Sequence, residues 1–540
     1  MIDFFRIVSQ KLNSYYKEYR IDDNVKKFIN HNKKKWVVKN RSKGIILIDL
    51  FDWYPFVYFY SYITNFLIKK YNLEAKYFYY PLYLAKSLKF KLSINKIKKI
   101  FNSFNVSEGL NSLNFKINVS DKIKFEKLFR KINSKEELIN YKYKSLVIGD
   151  LIYDTYLRTT ISATVDLKNK NFKRIFINAH IYLDKIENFY KKNEVKIVIV
   201  SHHVYFQYGM LARYSLSKNI PVIMIHYLKF GQENFNLVKL DKNCLKDYPY
   251  YNYKSDFNKL KNSAKKKSLE IGKKLIQNRI AGKRDFTNIY MKKSTFFSPR
   301  KKKNFILDKK QKKIIIFSHN FYDSPHRHRH MLFTDFYEYL NFFCEKSLKF
   351  NNYQWIIKPH PNDTETSDNI FREISLKYPH IKILDKKTSN IEILQINPNL
   401  IITNHSTAGH EFAYLKIPVL NTGDNIHSSY KFNYHAKNKN ELLNVLKNLS
   451  YIKNKISFNK KDIYEFMYMH FVHYYNRYDR DNLLDKNYFY NKSVLKNKKK
   501  VENDSNLLDF YIKNDKNASK NILKYIENFT NKELNRNYNI

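Results

Sequence analysis

The sequence contains few residues that interrupt helices and strands or cross-link the chain: 9 glycines, 11 prolines and 2 cysteines in 540 residues. Cys244 and Cys344 could form at most one disulfide bond, and they lack the spacing of metal ligands. We therefore expect neither a disulfide framework nor a structural zinc site. This sparing use of cysteine is typical of proteins in a reducing cytoplasm.

Long hydrophobic runs are also absent. Residues 1–20 have neither an uninterrupted apolar region nor a small-residue cleavage site, so they do not read as a secretory signal. The most apolar stretch, 53–68, is interrupted by polar residues and is shorter than a bilayer span. We predict a cytoplasmic chain without a membrane span, in which 53–68 forms a buried helix after a strand.

Acidic residues are scarce beside basic ones. The chain has 99 Lys and Arg against 49 Asp and Glu, which gives a formal net charge of +50. Abundant Asn, Ile, Tyr and Phe indicate A+T-rich codon use, to which we assign roughly half of the excess lysine. The rest of the excess lysine favours anionic surroundings such as phosphorylated substrates or acidic lipids.

The sequence has ample material for buried cores, since 43% of it is hydrophobic and 17% is aromatic. Short apolar runs alternate with segments of helical length, which is typical of parallel βαβ units, and the alternation occurs in both halves. The predicted strands are 45–50, 75–80, 145–148, 196–200, 221–225, 313–318, 354–358, 381–384, 400–403 and 417–420. The predicted helices include 172–192, 208–218, 332–349, 365–377, 391–395 and 408–415.

This pattern predicts an α/β fold with two Rossmann-like, doubly wound domains that face an interdomain cleft. We place a first domain at 1–254, a strand-free linker at 255–312, a second domain at 313–450, and C-terminal helices with a polar tail at 451–540. We expect the C-terminal helices to pack back across the first domain. Ligands of such sheets bind beyond the carboxyl ends of the strands, so function should lie in the loops there.

One such loop follows the predicted strand 400–403. Ser406 and Thr407 occupy helix N-cap positions, where backbone N–H groups and the helix dipole favour a phosphate. Gly409 would let a ligand approach the backbone closely, and Glu411 could reach a ribose hydroxyl. An ordinary N-cap, with Glu411 in the favourable first turn, explains the same residues equally well.

Two further loops follow predicted strands of the second half. The run Lys358-Pro359-His360-Pro361 is held rigid by its prolines, and His360 could donate to a phosphate or protonate a leaving group. The loop 318–330 places polar residues at the same face: Ser318, His319, Asn320, Asp323 and His326. No ordered acidic or Cys partners accompany its alternation of His and Arg, and alternate residues of a loop rarely converge on one ion, so we expect it to contact an anion rather than a metal.

These three loops together resemble the nucleotide-binding domain of GT-B glycosyltransferases, in particular bacterial enzymes of capsule and surface-polysaccharide biosynthesis. The resemblance rests on WIIKPHP, NLIITNHSTAGHEFAYLKIPVL and SHNFYD, within about residues 313–423. It implies a metal-independent glycosyltransferase with a nucleotide sugar as co-substrate and no other cofactor. It also implies that Lys358, His360, Ser406, Thr407 and Glu411 contact the donor nucleotide.

The first half resembles acceptor domains of such enzymes in pattern, over 148–160 and 201–222. Asp150 follows a strand and Gly149, and we consider it the candidate general base of an inverting transfer. Asp154 is the alternative, and a plain N-cap role for Asp150 is equally compatible with the sequence. The residues predicted to line the acceptor pocket are His202, His203, Tyr208 and Arg213.

The leading hypothesis is therefore transfer of a sugar from a nucleotide sugar to a glycan or lipid-linked glycan, with basic residues in peripheral contact with the anionic inner face of the plasma membrane. Alternatives on the same fold are a glycerol-phosphate-type polymer transferase, sugar-nucleotide hydrolysis or epimerisation, and a non-catalytic scaffold. A nucleic-acid-binding protein is disfavoured, because the basic residues are scattered and no DNA- or RNA-reading motif is present.

Overall fold

The computed structural model describes residues 21–37, 43–81, 88–227, 235–242, 249–283, 294–297, 308, 310–328, 330–361, 365–474 and 505–534. The chain divides into two compact units, and each unit is assembled from separate stretches of sequence. The first unit combines Met1–Glu126, Ile177–Asp247 and Asn476–Ile540. The second unit combines Lys127–Phe176 and Tyr248–Tyr475.

Short strands supply two sheets and one small hairpin. In chain order the strands are β1 (Ile45–Asp49), β2 (Glu74–Tyr79), β3 (Val106–Asn111), β4 (Lys142–Tyr143), β5 (Leu146–Val147), β6 (Val195–Val200), β7 (Val222–Tyr227), β8 (Phe235–Lys239), β9 (Lys312–Phe317), β10 (Tyr353–Lys358), β11 (Lys382–Ile383), β12 (Leu400–Thr403), β13 (Val419–Asn421) and β14 (Tyr434–His435).

Helices connect and cover these strands. In chain order they are α1 (Asp23–Lys35), α2 (Tyr54–Tyr71), α3 (Leu88–Asn102), α4 (Val119–Phe129), α5 (Lys135–Ile139), α6 (Gly149–Thr160), α7 (Lys170–Lys192), α8 (Tyr205–Ser217), α9 (Tyr253–Asn258), α10 (Asn262–Ile280), α11 (Phe336–Lys349), α12 (Glu365–Lys377), α13 (Asn390–Gln395), α14 (Ala408–Tyr414), α15 (Lys439–Lys447), α16 (Ser450–Lys453), α17 (Lys460–Tyr468) and α18 (Asn506–Glu533).

The two sheets have the same doubly wound topology. The strand order is β3-β2-β1-β6-β7-β8 in the first unit and β11-β10-β9-β12-β13-β14 in the second. All neighbours pair in parallel except β7 and β8, which are antiparallel. The predicted α/β fold class with two Rossmann-like sheets is thereby confirmed. In each sheet the strand order reverses beside the first strand, between β1 and β6 or between β9 and β12, and ligands of this fold bind at that point.

Buried apolar strands account for both cores. Every residue of β1 and β12 is buried, as expected for central parallel strands that are covered on both faces. The sequence prediction misses β3, whose residues VSEGLN include only two aliphatic side chains. It also misplaces 145–148, because Leu146–Val147 pairs only with β4 in an antiparallel hairpin outside the sheets.

The boundaries of the units differ from the predicted domains in two places. The stretch Lys127–Phe176 belongs to the second unit, although we predicted it in the first. The described residues of the predicted linker also belong to the second unit, where α9 and α10 form, and we had expected this segment to be partly helical. Gly272 of α10 lies against α17 so closely that an added Cβ would fall 1.9 Å from the Tyr464 carbonyl oxygen, so only glycine allows this helix contact.

The helix α18 packs on the first unit, in the manner predicted for the C-terminal helices. Its apolar residues, spaced three or four apart, enter the core that contains α2, and the rings of Tyr58 and Tyr511 stack 4.4 Å apart. Asp515 accepts a hydrogen bond from the Tyr58 hydroxyl at 3.0 Å. Residues Asn506–Glu533, which we predicted as part of the polar tail, therefore form α18. Within the described residues, no helix combines the length and the apolar character needed to cross a bilayer.

Candidate functional site

The strongest candidate site lies at the carboxyl edge of the second sheet, where β9 and β12 are neighbours. Ser318 and His319 follow β9, His360 follows β10, and Asn404 and His405 follow β12. The Ser318 hydroxyl accepts a hydrogen bond from the His360 backbone N–H at 3.1 Å. Three loops predicted from the sequence to bind a donor thus start from adjacent strands.

A group of imidazoles, the histidine cluster, lines this edge: His319, His326, His328, His360 and His405. The rings of His328 and His405 have centroids 3.6 Å apart, and those of His319 and His360 are 5.9 Å apart. Burial lowers the pKa of both His360 and His405 to about 3, and it lowers the pKa of His328 well below its usual value. These imidazoles are therefore neutral near pH 7, so each can donate one hydrogen bond and accept another.

Several buried polar atoms at this edge have no hydrogen-bond partner in the described part of the chain. They are Asn320 Oδ1, His326 Nε2, His328 Nδ1, both amide atoms of Asn404, and His405 Nδ1. A buried polar atom without a partner costs about 1–3 kcal/mol, so such atoms are rare in folded proteins and are usually satisfied by water or a ligand. All of them lie in the loops that follow β9 and β12, so this edge is a candidate site for a ligand rich in hydrogen-bonding groups.

An acid–base pair adjoins the histidine cluster. The Asp154 carboxylate contacts His326 Nδ1 at 2.6 Å, and both side chains are largely buried. Burial opposes the protonation of His326, but the Asp154 carboxylate outweighs it and raises the pKa of the imidazole. Burial also raises the pKa of Asp154, although His326 opposes this change. Asp150, half-buried one helical turn earlier, adds negative charge near both groups.

The helix α6, which carries Asp150 and Asp154, is held in the second unit by contacts with α11. Asp335 caps α11 by accepting from the Glu338 backbone N–H at 2.8 Å. The same carboxylate accepts hydrogen bonds from the hydroxyls of Tyr153 and Thr164. Our prediction placed both candidate bases in the acceptor domain. The structure instead places them in the unit that carries the predicted donor site.

The remaining predicted donor residues differ in their surroundings. Ser406 accepts a hydrogen bond from the Ala408 backbone N–H at 3.2 Å, whereas Thr407 makes no side-chain capping bond. The Lys358 ammonium is buried and donates to the carbonyls of Pro359, at 2.7 Å, and Lys386, at 2.9 Å. Lys358 therefore stabilises the loop conformation, and its charge is directed into the protein.

The structure corrects the roles expected for Glu411 and Gly409. Both oxygens of the buried Glu411 carboxylate are occupied, by Arg279 Nε at 2.6 Å and by Asn390 Nδ2 at 2.7 Å. A Cβ on Gly409 would lie 2.5 Å from Asn433 Nδ2 and from His427 Cε1. Glu411 is thus bound by the protein's own cation instead of being directed to a ribose. The close approach that Gly409 permits is made by protein side chains instead of a ligand.

The first unit has a cluster of polar side chains at the carboxyl ends of the neighbouring strands β1 and β6. The buried Asp49 carboxylate accepts from the Ser201 backbone N–H at 2.8 Å and from the hydroxyls of Ser201 and Tyr60. Burial raises the pKa of Asp49 to about 6. The Ser201 hydroxyl also contacts His202 Nδ1 at 2.9 Å.

Of the predicted acceptor residues, His202 and Tyr208 lie together at this polar cluster. The ring of His202 lies 5.5 Å from that of Tyr208, which brings those two residues together. His203 is buried and Arg213 is half-buried on α8. Neither amide atom of the buried Gln207 has a hydrogen-bond partner among the described residues. His202 and Tyr208, with Asp49 and Gln207, thus form a second polar site at the corresponding place in the first sheet.

Sequence reasoning overlooked Asp49 and assigned no role to Asn404, His405 or His328. Asp49 ends the apolar strand IILID, so the rule that ligands bind at carboxyl ends of strands could have singled it out. Asn404 also directly follows its strand. His328 had no comparable signal, because its position depends on the loop conformation. The described residues contain no group of three His, Cys, Asp or Glu side chains arranged to hold a metal ion.

No family model and no curated protein sequence matches the chain. Among solved structures, the β-Kdo 2,4 transferase KpsC of Thermosulfurimonas dismutans is 11% identical, with 51% of this chain and 79% of that chain covered and a TM-score of 0.31. The β-Kdo 2,7 transferase KpsC of that organism is 13% identical, with coverages of 53% and 80% and a TM-score of 0.28. UDP-GlcNAc 2-epimerase of Neisseria meningitidis, bound to UDP-GlcNAc, is 9% identical, with coverages of 80% and 98% and a TM-score of 0.25. Similarity at this level does not assign a function to the chain.

Proposed function

We propose that the chain is a GT-B-type glycosyltransferase that binds a nucleotide-sugar donor at the carboxyl edge of the second sheet. The observation that carries the proposal is the set of unpartnered buried polar atoms around Asn404 and the histidine cluster. A sugar phosphate offers many oxygens that accept hydrogen bonds and several hydroxyls that donate them. Neutral imidazoles and an amide can satisfy both kinds of group without ionising.

Phosphate binding at this edge would use neutral donors instead of the Lys358 ammonium. The imidazole N–H of His360, together with the backbone N–H groups at Ser406 and Thr407, would meet the phosphate oxygens. Burial lowers the pKa of His360 to about 3, so without a ligand the imidazole is neutral near pH 7 and can donate a hydrogen bond to the leaving phosphate. An arriving phosphate dianion would raise that pKa, since an opposite charge favours the protonated imidazole.

The chemical step needs a group that removes the acceptor proton. The acceptor oxygen forms a bond to the anomeric carbon, the bond from that carbon to the phosphate oxygen breaks, and the nucleotide leaves with the electron pair. We assign the proton to the Asp150 carboxylate, because Asp150 is half-buried and adjoins the Asp154–His326 pair. Asp154 is the alternative base, because the contact with His326 opposes the rise that burial causes in the pKa of its carboxyl group.

The acceptor in this proposal is a glycan or lipid-linked glycan, which binds the first unit at the site that contains His202, Tyr208 and the Asp49–Ser201 pair. Hydroxyl groups of a sugar suit that site, since the His202 imidazole and the Gln207 amide can exchange hydrogen bonds with them and the Tyr208 ring can pack against a sugar face. A lipid-linked acceptor would also bring the chain to the inner face of the membrane, to which its net charge of +50 would attract it.

A donor panel tests the proposal directly. CMP-, CDP-, UDP- and GDP-sugars, with CDP-glycerol for the glycerol-phosphate alternative, are titrated into the full chain by calorimetry. We expect one nucleotide sugar to bind, and His405→Gln to weaken it at least tenfold because an imidazole donor is lost. His380→Gln is the matched control, since His380 is exposed and contacts the Ser347 hydroxyl of α11. Binding of no nucleotide sugar, or of CDP-glycerol alone, would refute the proposal.

A second pair of variants tests the loop after β12. Replacing Ser406 and Thr407 by Ala removes two hydroxyls and leaves the backbone N–H groups in place. We expect donor binding to weaken by about 1–3 kcal/mol. Unchanged affinity for every donor would show that neither hydroxyl contacts the donor.

A further inference from the structure

A large groove lies at the opposite edge of the first sheet, near the amino ends of β2 and β3. The C-terminal ends of α1 and α2 and one face of α18 form its walls. Its volume is about 1680 Å³. Pockets for small ligands usually enclose roughly 300–1,000 Å³, so the groove is large enough for a longer molecule. Asp49 and Ser201 lie at the other ends of the strands, so the groove is separate from the polar site described there.

The walls of the groove carry an excess of positive charge. Lys69 and Lys70 project from α2, while Lys520 and Lys524 project from α18. Lys69, Lys520 and Lys524 form no ion pair with any described residue, and Lys70 contacts only the side-chain oxygen of Asn531 and nearby rings.

The acidic residues at the groove do not neutralise these lysines. Glu74 pairs with Lys76 at 3.1 Å and Glu108 pairs with Lys98 at 2.9 Å, and neither lysine lines the groove. Glu527 is the remaining carboxylate of the lining. Lys35, the fifth lysine of the lining, pairs with Asp515, so the other four lysines against one such carboxylate leave a cationic groove that suits an anionic ligand.

The lining also contains groups that bind sugars. The exposed amides of Asn72 and Asn102 can donate and accept hydrogen bonds with hydroxyls, and the half-buried rings of Trp36 and Phe66 offer apolar faces. Amides beside lysines suit a ligand with both hydroxyls and acidic groups. The lysines approach from two sides of a concave surface, which a flat bilayer could not contact simultaneously.

We propose that this groove binds an acidic oligosaccharide chain, with Lys69 and Lys70 on one side and Lys520 and Lys524 on the other contacting its acidic groups. The proposal depends only on the groove and holds whether or not the second unit binds a nucleotide sugar. It places an anionic glycan at the edge of the first sheet that lies opposite the carboxyl ends of its strands.

The test measures binding of a fluorescein-labelled heparin-derived octasaccharide to the full chain by anisotropy, with a neutral dextran octasaccharide as the comparison ligand. The groove variant is Lys520→Gln with Lys524→Gln. The control variant, Lys516→Gln with Lys532→Gln, removes the same charge from exposed positions of α18 outside the groove. We expect the groove variant to bind the acidic ligand roughly three- to tenfold more weakly, as two exposed charge contacts are lost. We expect the control to bind like the original chain.

A second readout does not depend on net charge. The acidic ligand should change the fluorescence of Trp36, and Trp36→Phe should remove that change, because Trp36 lines the groove and Trp53 and Trp355 do not. Equal loss in the control variant, or no effect of Trp36→Phe, would overturn the proposal. So would a groove variant that loses binding to phosphatidylglycerol vesicles but keeps the octasaccharide. Donor titration of the groove variant should be normal, which separates this result from a failure of the donor site.

Discussion

Replacing Glu411 by Gln discriminates between the ribose contact suggested by the sequence and the ion pair seen in the structure. The substitution keeps the size of the side chain and removes its charge. Arg279, only 3% exposed, then remains as a buried cation without its carboxylate. Breaking a buried ion pair from one side typically costs about 3–5 kcal/mol.

This cost predicts a clear change in thermal stability. The second unit has about 280 residues, and an unfolding entropy of about 2.1 cal/mol/K per residue converts the loss into a midpoint shift of about 5–9 °C. Calorimetry and circular dichroism of the full chain would measure the shift. Asp462→Asn is the matched control, because Asp462 pairs with the half-exposed Lys254 and should cost at most about 1 kcal/mol.

A double variant separates the charge effect from packing. Arg279→Met combined with Glu411→Met removes both charges, so it should be less destabilised than the sum of the two single variants. The donor affinity of folded Glu411→Gln should equal that of the original chain. If Glu411→Gln kept its thermal midpoint and lost donor binding, the ion-pair role of Glu411 would be refuted in favour of the ribose contact.

Three further predictions concern the carboxylates of both units. Asp150→Asn should lower turnover by roughly two to four orders of magnitude with donor binding intact, and near-normal turnover would exclude it as the base. Asp154→Asn should lower the pKa of His326, because the main opposition to the effect of burial is lost while Asp150 and Asp335 remain, and an NMR titration that shows no decrease would contradict the pair. Asp49 has a pKa of about 6 when folded, above its unfolded value, so the first unit should lose about 3 kcal/mol of stability as pH rises from about 4 to about 6. Denaturant titrations should show that Asp49→Asn flattens this dependence.

Local patterns in the sequence predicted the architecture well where hydrophobic periodicity was strong. The strands of IILID, KIVIV and KIIIF stand out because central parallel strands must be apolar on both faces. Edge strands have weaker hydrophobic patterns, and for this reason the strand VSEGLN was not predicted. It was harder still to predict from the sequence which segments belong to which unit. Whether Lys127–Phe176 joins one sheet or the other depends on contacts such as Tyr153 with Asp335, which no local pattern encodes.

The candidate site was predicted in its outline and not in its detail. The rule that ligands lie beyond strand ends identified the loops after β9, β10 and β12. Side-chain roles within those loops depended on partners far away in sequence. Glu411 appeared free to bind a ribose because Arg279 is 132 residues away along the chain. Lys358 appeared available to a phosphate because its contact with the Lys386 carbonyl could not be foreseen.

The interleaving of the two units determines the order in which the chain can finish folding as it leaves the ribosome. The second unit ends at Tyr475, so all of its residues have emerged before α18 has been synthesised. The first unit starts earlier and is completed later, because Leu508 and Ile526 of α18 are part of its core. Until α18 has been synthesised, the tyrosine-rich face of α2 that packs against it stays exposed. This exposed surface can then associate with other unfolded chains. Synthesis that stops shortly before residue 505 would therefore leave a finished second unit joined to an aggregation-prone first one.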